Sequence, residues 1–372
     1  MPVSGFTDKL KRLGRDYLFQ TTVNEPQKLI NCSLFNAGSL INSRTIAYPD
    51  DLAGVALMER VQYIHKQNYS DIDSLLGLAE RLRKLEKPEI LEKIGKVLSS
   101  KELYDEGIEL LVLAVQKYPD SSGIHFVLGR LYLGKGVFDE ALTELQRAVD
   151  LAPNFPDYRN LLGIAFLKLK KAKAAINEFK KAVEFNIYFD KAYFNLGLAY
   201  IANGIFREDY NLAKNLISNS IENFDKAILF NPGFETQEYQ NGIAALHRGD
   251  LQSAFDLLSA VADLNTILTS EDRLLEMYLR YVHDEAGMTE DGIKRYIERI
   301  SELLKISAGF ADLHNELGMA YTVMSKFMND KAIKHFQEAL KINPRFAKAT
   351  RNLKLSQNDL KGFEILLEAI VK

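Results

Sequence analysis

The sequence predicts an all-α chain, a solenoid of antiparallel helix pairs preceded by a non-repeat N-terminal arm. Three observations carry this. Set against itself at a shift of 34 residues, the sequence aligns Gly95, Gly129, Gly163 and Gly197. Further columns keep that register: Gly107, Ala141 and Ala175; Ala114, Ala148 and Ala182; and Pro119 and Pro153, with Ile187 in the next copy. Large apolar residues, among them Leu128, Tyr132, Leu145, Leu162, Phe166 and Phe179, recur beside the small ones at helical spacing. The small residues have a physical cause, because two helices that cross closely leave no room for a side chain at the crossing. Proline closes a copy, since it lacks an N–H and disfavours helix in the residue before it.

From the N-terminus, residues 1–50 show no helix-pair spacing. A short amphipathic stretch ends near Phe19, and Thr21–Pro49 is rich in Asn, Ser and Thr with almost no acidic residues. This segment is expected to be an extended arm or flank, lying on the first helices or in the groove of its own or a neighbouring chain. Residues 51–87 read as a helix pair or cap, Asp51–Lys66 and Asp71–Leu85, with Ser70 and Asp71 as N-cap candidates. Residues 88–346 hold about seven helix pairs. The clearest copy is Ser122–Phe155, and Pro156–Phe189 follows it without a gap. Another opens at Asp190 through Tyr193, Leu196, Gly197 and Tyr200, but its second half (Phe224, Ala227, Pro232) arrives eleven residues late, which places an insertion near 206–215. A weaker copy starts at Glu235, with Gly242, Ala254 and Leu258. Thr269–Phe310 carries two amphipathic helical patterns without the small-residue columns, and the last clear copy starts at Ala311, with Leu317, Gly318, Tyr321, Ala332, Phe336, Ala339 and Pro344. Residues 347–372 show two further helical patterns around Gly362, expected to cap the apolar end of the array.

These columns resemble the tetratricopeptide repeat, whose unit is a helix-turn-helix of this period. The resemblance implies a right-handed superhelix in which the first helix of each pair lines a concave groove that takes a peptide or a partner surface. Carried over residue by residue, the groove positions are Phe126, Arg130 and Leu133 in the second pair, and Asn160, Ile164 and Lys168 in the third. Lys191, Phe194, Asn195 and Leu198 follow in the fourth, and Asn315 and Met319 in the seventh. Asn offers a donor and an acceptor to a peptide backbone, Arg130 and Lys191 suit a carboxylate, and the apolar members shelter side chains. One subgroup of the family grips acidic chaperone tails with a clamp of Lys, Asn, Asn, Lys and Arg. Here Asn195 stands where that clamp has Arg, and Phe126, Arg130 and Leu161 fill its earlier positions. The function implied is a non-catalytic protein-interaction scaffold, with a self-associating array forming homo-oligomers as the alternative.

Composition narrows the rest. The 372 residues are 47% apolar and 26% charged, the balance of an ordered chain. Forty-seven Lys and Arg against 50 Asp and Glu leave a net charge of −3, without the basic excess that draws a protein to nucleic acid or anionic lipid. No apolar run approaches the ~18 residues of a membrane span, and Met1–Gln20 is charged throughout, so neither membrane insertion nor export is expected and a cytoplasmic setting is. Cys32 has no second cysteine to pair with and reads as a small buried hydrophobe. The six His residues show no metal-ligand spacing, and His125 and His314 share one repeat position, where packing is expected. Gly129–Gly136 (GRLYLGKG) looks like a phosphate loop but has Gly136 where the hydroxyl is needed and no strand before it. No enzyme, cofactor or metal is expected.

Overall fold

The computed structural model describes residues 5–85, 87–264, 270–283, 289–306, 311–342, 344–345 and 347–371. Thr269, Phe310 and the expected array end at 346 lie outside the described residues. The chain divides into two compact units, Met1–Thr269 and Ser270–Lys372.

The first unit opens on a sheet. Strands β1 (Gly5–Arg12), β2 (Arg15–Asn24), β3 (Leu29–Asn36) and β4 (Ser39–Ala47) form an antiparallel meander in sequence order. The expected arm or flank is therefore an ordered sheet. Two-residue turns at Leu13-Gly14 and Ala37-Gly38 close two of its hairpins, each with both residues at positive φ, the geometry whose twist matches paired strands. Tyr17, Phe19 and Thr21 on β2 alternate inward beside Ile30, Cys32 and Leu34 on β3. That face packs on α1 (Gly54–Arg83) through Leu57, Val61, Ile64 and His65. The His65 ring lies 2.9 Å from Thr21 Oγ1 and 3.0 Å from Asp8 Oδ2, and Asn68 donates to Cys32 Sγ, so sheet and helix are joined by polar as well as apolar contact. Burial pushes the Cys32 thiol up. Residues 51–83 hold one continuous helix rather than a pair, and Ser70 and Asp71 lie within it. The stretch KQNYSD at 66–71 contains neither Gly nor Pro to end a helix.

Pairs of helices follow: α2 (Pro88–Ser100) with α3 (Tyr104–Lys117), α4 (Ser122–Lys135) with α5 (Phe138–Leu151), and α6 (Pro156–Lys168) with α7 (Ala172–Phe185). α8 (Asp190–Phe206) reaches its partner only after the insertion, which forms the single turn α9 (Tyr210–Ala213) ahead of α10 (Leu216–Phe230). Asp209 caps that turn by accepting from Asn211 and Leu212 N–H, and Glu208 accepts from Lys173 N–H, so the insertion is anchored on the start of α7. α11 (Gln237–His247) and α12 (Leu251–Leu264) complete the unit. The glycine column does what its spacing implies: a Cβ at Gly129 or Gly163 would stand 2.5 Å from Leu145 or Phe179 on the second helix.

A polar contact repeats with the same period. His125 Nε2 lies 2.9 Å from the Pro119 carbonyl and its Nδ1 2.6 Å from Glu144, while Arg159 donates to the Pro153 carbonyl and to Glu178, both at 2.7 Å. His125 thus ties the end of one pair to both helices of the next.

The second unit holds α13 (Ser270–His283), α14 (Glu290–Ile306), α15 (Ala311–Ile342) and α16 (Ala347–Val371). Met277, Ile293, Met319 and Val323 form its core. Two expectations change here. The repeat register predicts a helix pair from Ala311, but 311–342 is one continuous helix, and 347–371 runs unbroken through Gly362. Neither SKFMNDK at 325–331 nor the flanks of Gly362 contain proline, and an isolated glycine lowers helix stability by only about 1 kcal/mol. Among the described residues no helix is long and apolar enough to cross a membrane.

Two buried phenols make the first unit sensitive to alkali. Burial, together with the Glu106 carboxylate it donates to at 2.7 Å, holds Tyr17 well above the usual tyrosine range. Burial, then the charges of Asp225 and Glu235, pushes Tyr239 up to about 12. Above pH ~10 the unfolded chain has lost protons that the folded chain keeps, so stability is intact below pH ~10 and falls as pH rises toward about 12. Tyr239→Phe is expected to remove roughly 1–3 kcal/mol of that fall. Urea midpoints measured across this range should be flatter for the variant; parallel curves would show that Tyr239 titrates alike in both states.

Candidate functional site

Contacts between helices identify the inner side of the first unit's array. α2 touches α4, α4 touches α6 and α6 touches α8, so the first helices form a row of neighbours. The second helices α3, α5 and α7 pack instead against the first helix of the next pair. A stack whose first helices touch one another more extensively than its second helices do is tighter on the first-helix side, the helices that carry the expected groove residues.

The structure sorts those residues into three sets. Phe126, Arg130, Leu133, Ile164 and Lys191 are half-buried and Lys168 is exposed, so these side chains reach a surface. Asn160 and Asn195 are more than nine-tenths buried and bond to each other, Asn195 Nδ2 donating to Asn160 Oδ1 at 3.0 Å across α6 and α8. Phe194 and Leu198 belong to the core, at 1% and 4% exposure, packed with Phe224, Phe234 and Tyr239. Their placement on the groove surface is therefore corrected. Between Gly197 and its usual partner stands the insertion, after which α10 and the turn Pro232–Phe234 close over this side of α8. Asn315 and Met319 lie in the second unit, where Asn315 is exposed and Met319 is buried in the core.

Other residues join the surface set. Tyr158 is sandwiched between Phe126, at 4.4 Å between ring centroids, and Phe155, at 5.0 Å, in near-parallel stacks. Phe155 itself is half exposed. On α2, Lys96 pairs with Glu92 at 2.7 Å, and both Lys96 and Lys191 act electrostatically on Asp157 at the start of α6. Tyr158 stands 32 residues after Phe126 rather than 34, so column alignment alone does not bring the two rings together. The row thus carries stacked rings at one end and a buried amide pair, with Lys191 one turn before Asn195 and Lys168 two turns beyond Asn160. On the opposite, second-helix side lies an open cleft of about 440 Å³, lined by Gln146, Phe166, Asn177, Lys180 and Glu184 among others. No groove residue expected from the sequence lines it. Among the described residues there is no group of three or more His, Cys, Asp or Glu able to hold a metal ion.

Family models of the tetratricopeptide repeat match residues 100–164, and again 156–186 and 311–346. No curated protein matches the chain. Among solved structures it is similar to MamA, at 23% identity over 47% of this chain and 98% of that one, with a TM-score of 0.36. It is also similar to YrrB, described as a TPR protein with an unusual peptide-binding site, at 18% identity over 53% of this chain and 93% of that one (TM-score 0.35). A third is the first TPR of Spaghetti bound to an HSP90 peptide, at 20% identity over 34% and 91% of the two chains (TM-score 0.30).

Proposed function

We propose that this tetratricopeptide-repeat protein is a non-catalytic interaction scaffold that binds an extended peptide segment along its first helices α4, α6 and α8. The stacked rings of Phe126 and Tyr158, half-buried on the neighbouring helices α4 and α6, support this reading most directly. The buried Asn160–Asn195 bond ties α6 to α8, so the row of first helices is ordered before the ligand arrives, at little entropic cost to binding. Phe126 and Tyr158 offer an aromatic face for an apolar side chain, and Lys168 and Lys191 favour an acidic one. Arg130, Ile164 and Leu133 extend the same row.

Asn195 is a poor site for testing this, since its buried bond to Asn160 makes binding and stability change together. Lys168 and Lys191 separate them. Peptides selected on the wild-type chain from a displayed random library are expected to bind the Lys168→Glu/Lys191→Glu variant at least about tenfold more weakly, a loss of ~1.4 kcal/mol, with an almost unchanged melting temperature. Equal affinity in the double variant, or a loss produced instead by Lys180→Glu in the second-helix cleft, would place the binding surface elsewhere.

A further inference from the structure

The last repeat copy has the sequence of a helix pair and the structure of a single helix. Ala332, Phe336, Ala339 and Pro344 follow Gly318 as Ala141, Leu145, Ala148 and Pro153 follow Gly129, each displaced by the same two residues, the mark of a slightly longer turn. In the closed pairs the glycine is covered by the second helix. A Cβ at Gly95, Gly129, Gly163 or Gly242 would stand 2.8, 2.5, 2.5 and 2.6 Å from Leu111, Leu145, Phe179 and Leu258. At Gly318 nothing lies within 4 Å. His314, Gly318, Tyr321, Ser325 and Met328, spaced four, three, four and three apart, form an exposed stripe, whereas His125 and Gly129 at the matching places in α4 are buried.

The rest of that stripe is covered. Phe336 stands 18 residues after Gly318, five full turns of helix, so both lie on one face of α15. Along its C-terminal half this face runs beside α16: Asn329 donates to the Ser356 carbonyl at 2.8 Å, and Ala332, Phe336 and Ala339 are half-buried. Met319 and Val323, on the opposite face, remain packed on Met277 and Ile293 whatever covers the stripe. The Phe336 stripe therefore has two competing covers, α16 or the N-terminal half of α15 itself. Which one wins depends on residues 325–331, where Asn329 and Asp330 tolerate a turn and Lys326, Phe327 and Met328 tolerate a helix.

We propose that α15 is a two-state element. In one state it is a continuous helix with α16 on the Phe336 stripe; in the other it closes at 325–331, seats Phe336 on Gly318 and displaces α16. Two packings of one sequence then differ only in which segment covers one apolar stripe, the condition under which a small bias from a ligand moves the balance. The inference does not depend on where the first unit binds a peptide.

Spin labels at His314→Cys and Lys341→Cys, in the full chain with Cys32→Ala, read the two states directly. Both labelled positions are exposed. Along a continuous helix they are about 40 Å apart, and in a closed pair under about 20 Å. The expected result is both distances, with the short one abolished by Gly318→Leu, which fills the place that Phe336 needs. A single long distance overturns the proposal, as does a short one that survives Gly318→Leu. A short distance that disappears on dilution with unlabelled chain also overturns it, since closure would then occur between two chains.

Discussion

Replacing Gly163 by leucine is expected to destabilise the first unit by about 3 kcal/mol or more. A Cβ at this position would already stand 2.5 Å from the Phe179 ring edge and 2.8 Å from two further ring atoms, and leucine adds three more carbons. The ring has nowhere to go. Phe179 is fully buried and held by Ala175, Ile176, Leu196, Ala199 and Tyr200, so relief requires α6 and α7 to separate and the next pair to shift with them. In a chain of this kind each pair is stabilised through its neighbours, and an opened crossing weakens the interfaces on both sides. Gly318→Leu is the internal control. The same exchange at the same repeat column meets no atom within 4 Å, and removing a helical glycine is expected to change stability by less than about 1 kcal/mol, in the stabilising direction. Denaturant titration of the two variants should therefore diverge by several kcal/mol. A Gly163→Leu chain as stable as its parent would mean that the glycine column does not mark close crossings.

The contrast between these glycines shows how far the sequence could be read. Columns of small residues were legible because a short-range cause, helix crossing, places them at a fixed period, and Gly129, Gly163 and Gly242 each meet the residue sixteen positions later. The sheet was not, although its signal is present. Tyr17, Phe19 and Thr21, then Ile30, Cys32 and Leu34, alternate with period two, but the turns that pair the strands are Leu13-Gly14 and Ala37-Gly38 rather than the Asn-Gly or Asp-Gly that announces such a hairpin. Helix continuity was equally hidden. Residues 66–71 and 325–331 contain neither Gly nor Pro, so only the repeat register argued for a turn at the second, and register does not bend a helix. Within the candidate site, Phe126 and Phe194 stand at comparable repeat positions, and nothing local separates them. The neighbouring elements do: Phe224 and Phe234 close on Phe194, while Phe126 stacks on Tyr158 and stays half-buried.

That distinction yields the second large effect. Phe194→Ala is expected to cost about 3–5 kcal/mol, the range for truncating a fully buried aromatic ring whose cavity cannot collapse. The Phe194 ring lies 4.5 Å from Phe234 in a stack and 4.9 Å from Phe224, with Tyr239 behind them at 6.4 Å. It stands at the junction of α8, α10 and α11, so its loss is felt across the last two pairs of the first unit rather than in α8 alone. Peptide binding should weaken together with the melting temperature, in proportion to the fraction unfolded, because the ring makes no surface of its own. Lys191→Glu, one helical turn earlier on α8, is expected to do the opposite and lower affinity while the melting temperature holds. The pair of variants thus divides α8 into a core-facing and a partner-facing side. If Phe194→Ala melted like its parent and still lost the peptide, the ring would be a contact residue, and α10 and the turn at 232–234 would have to move aside for the ligand to reach it.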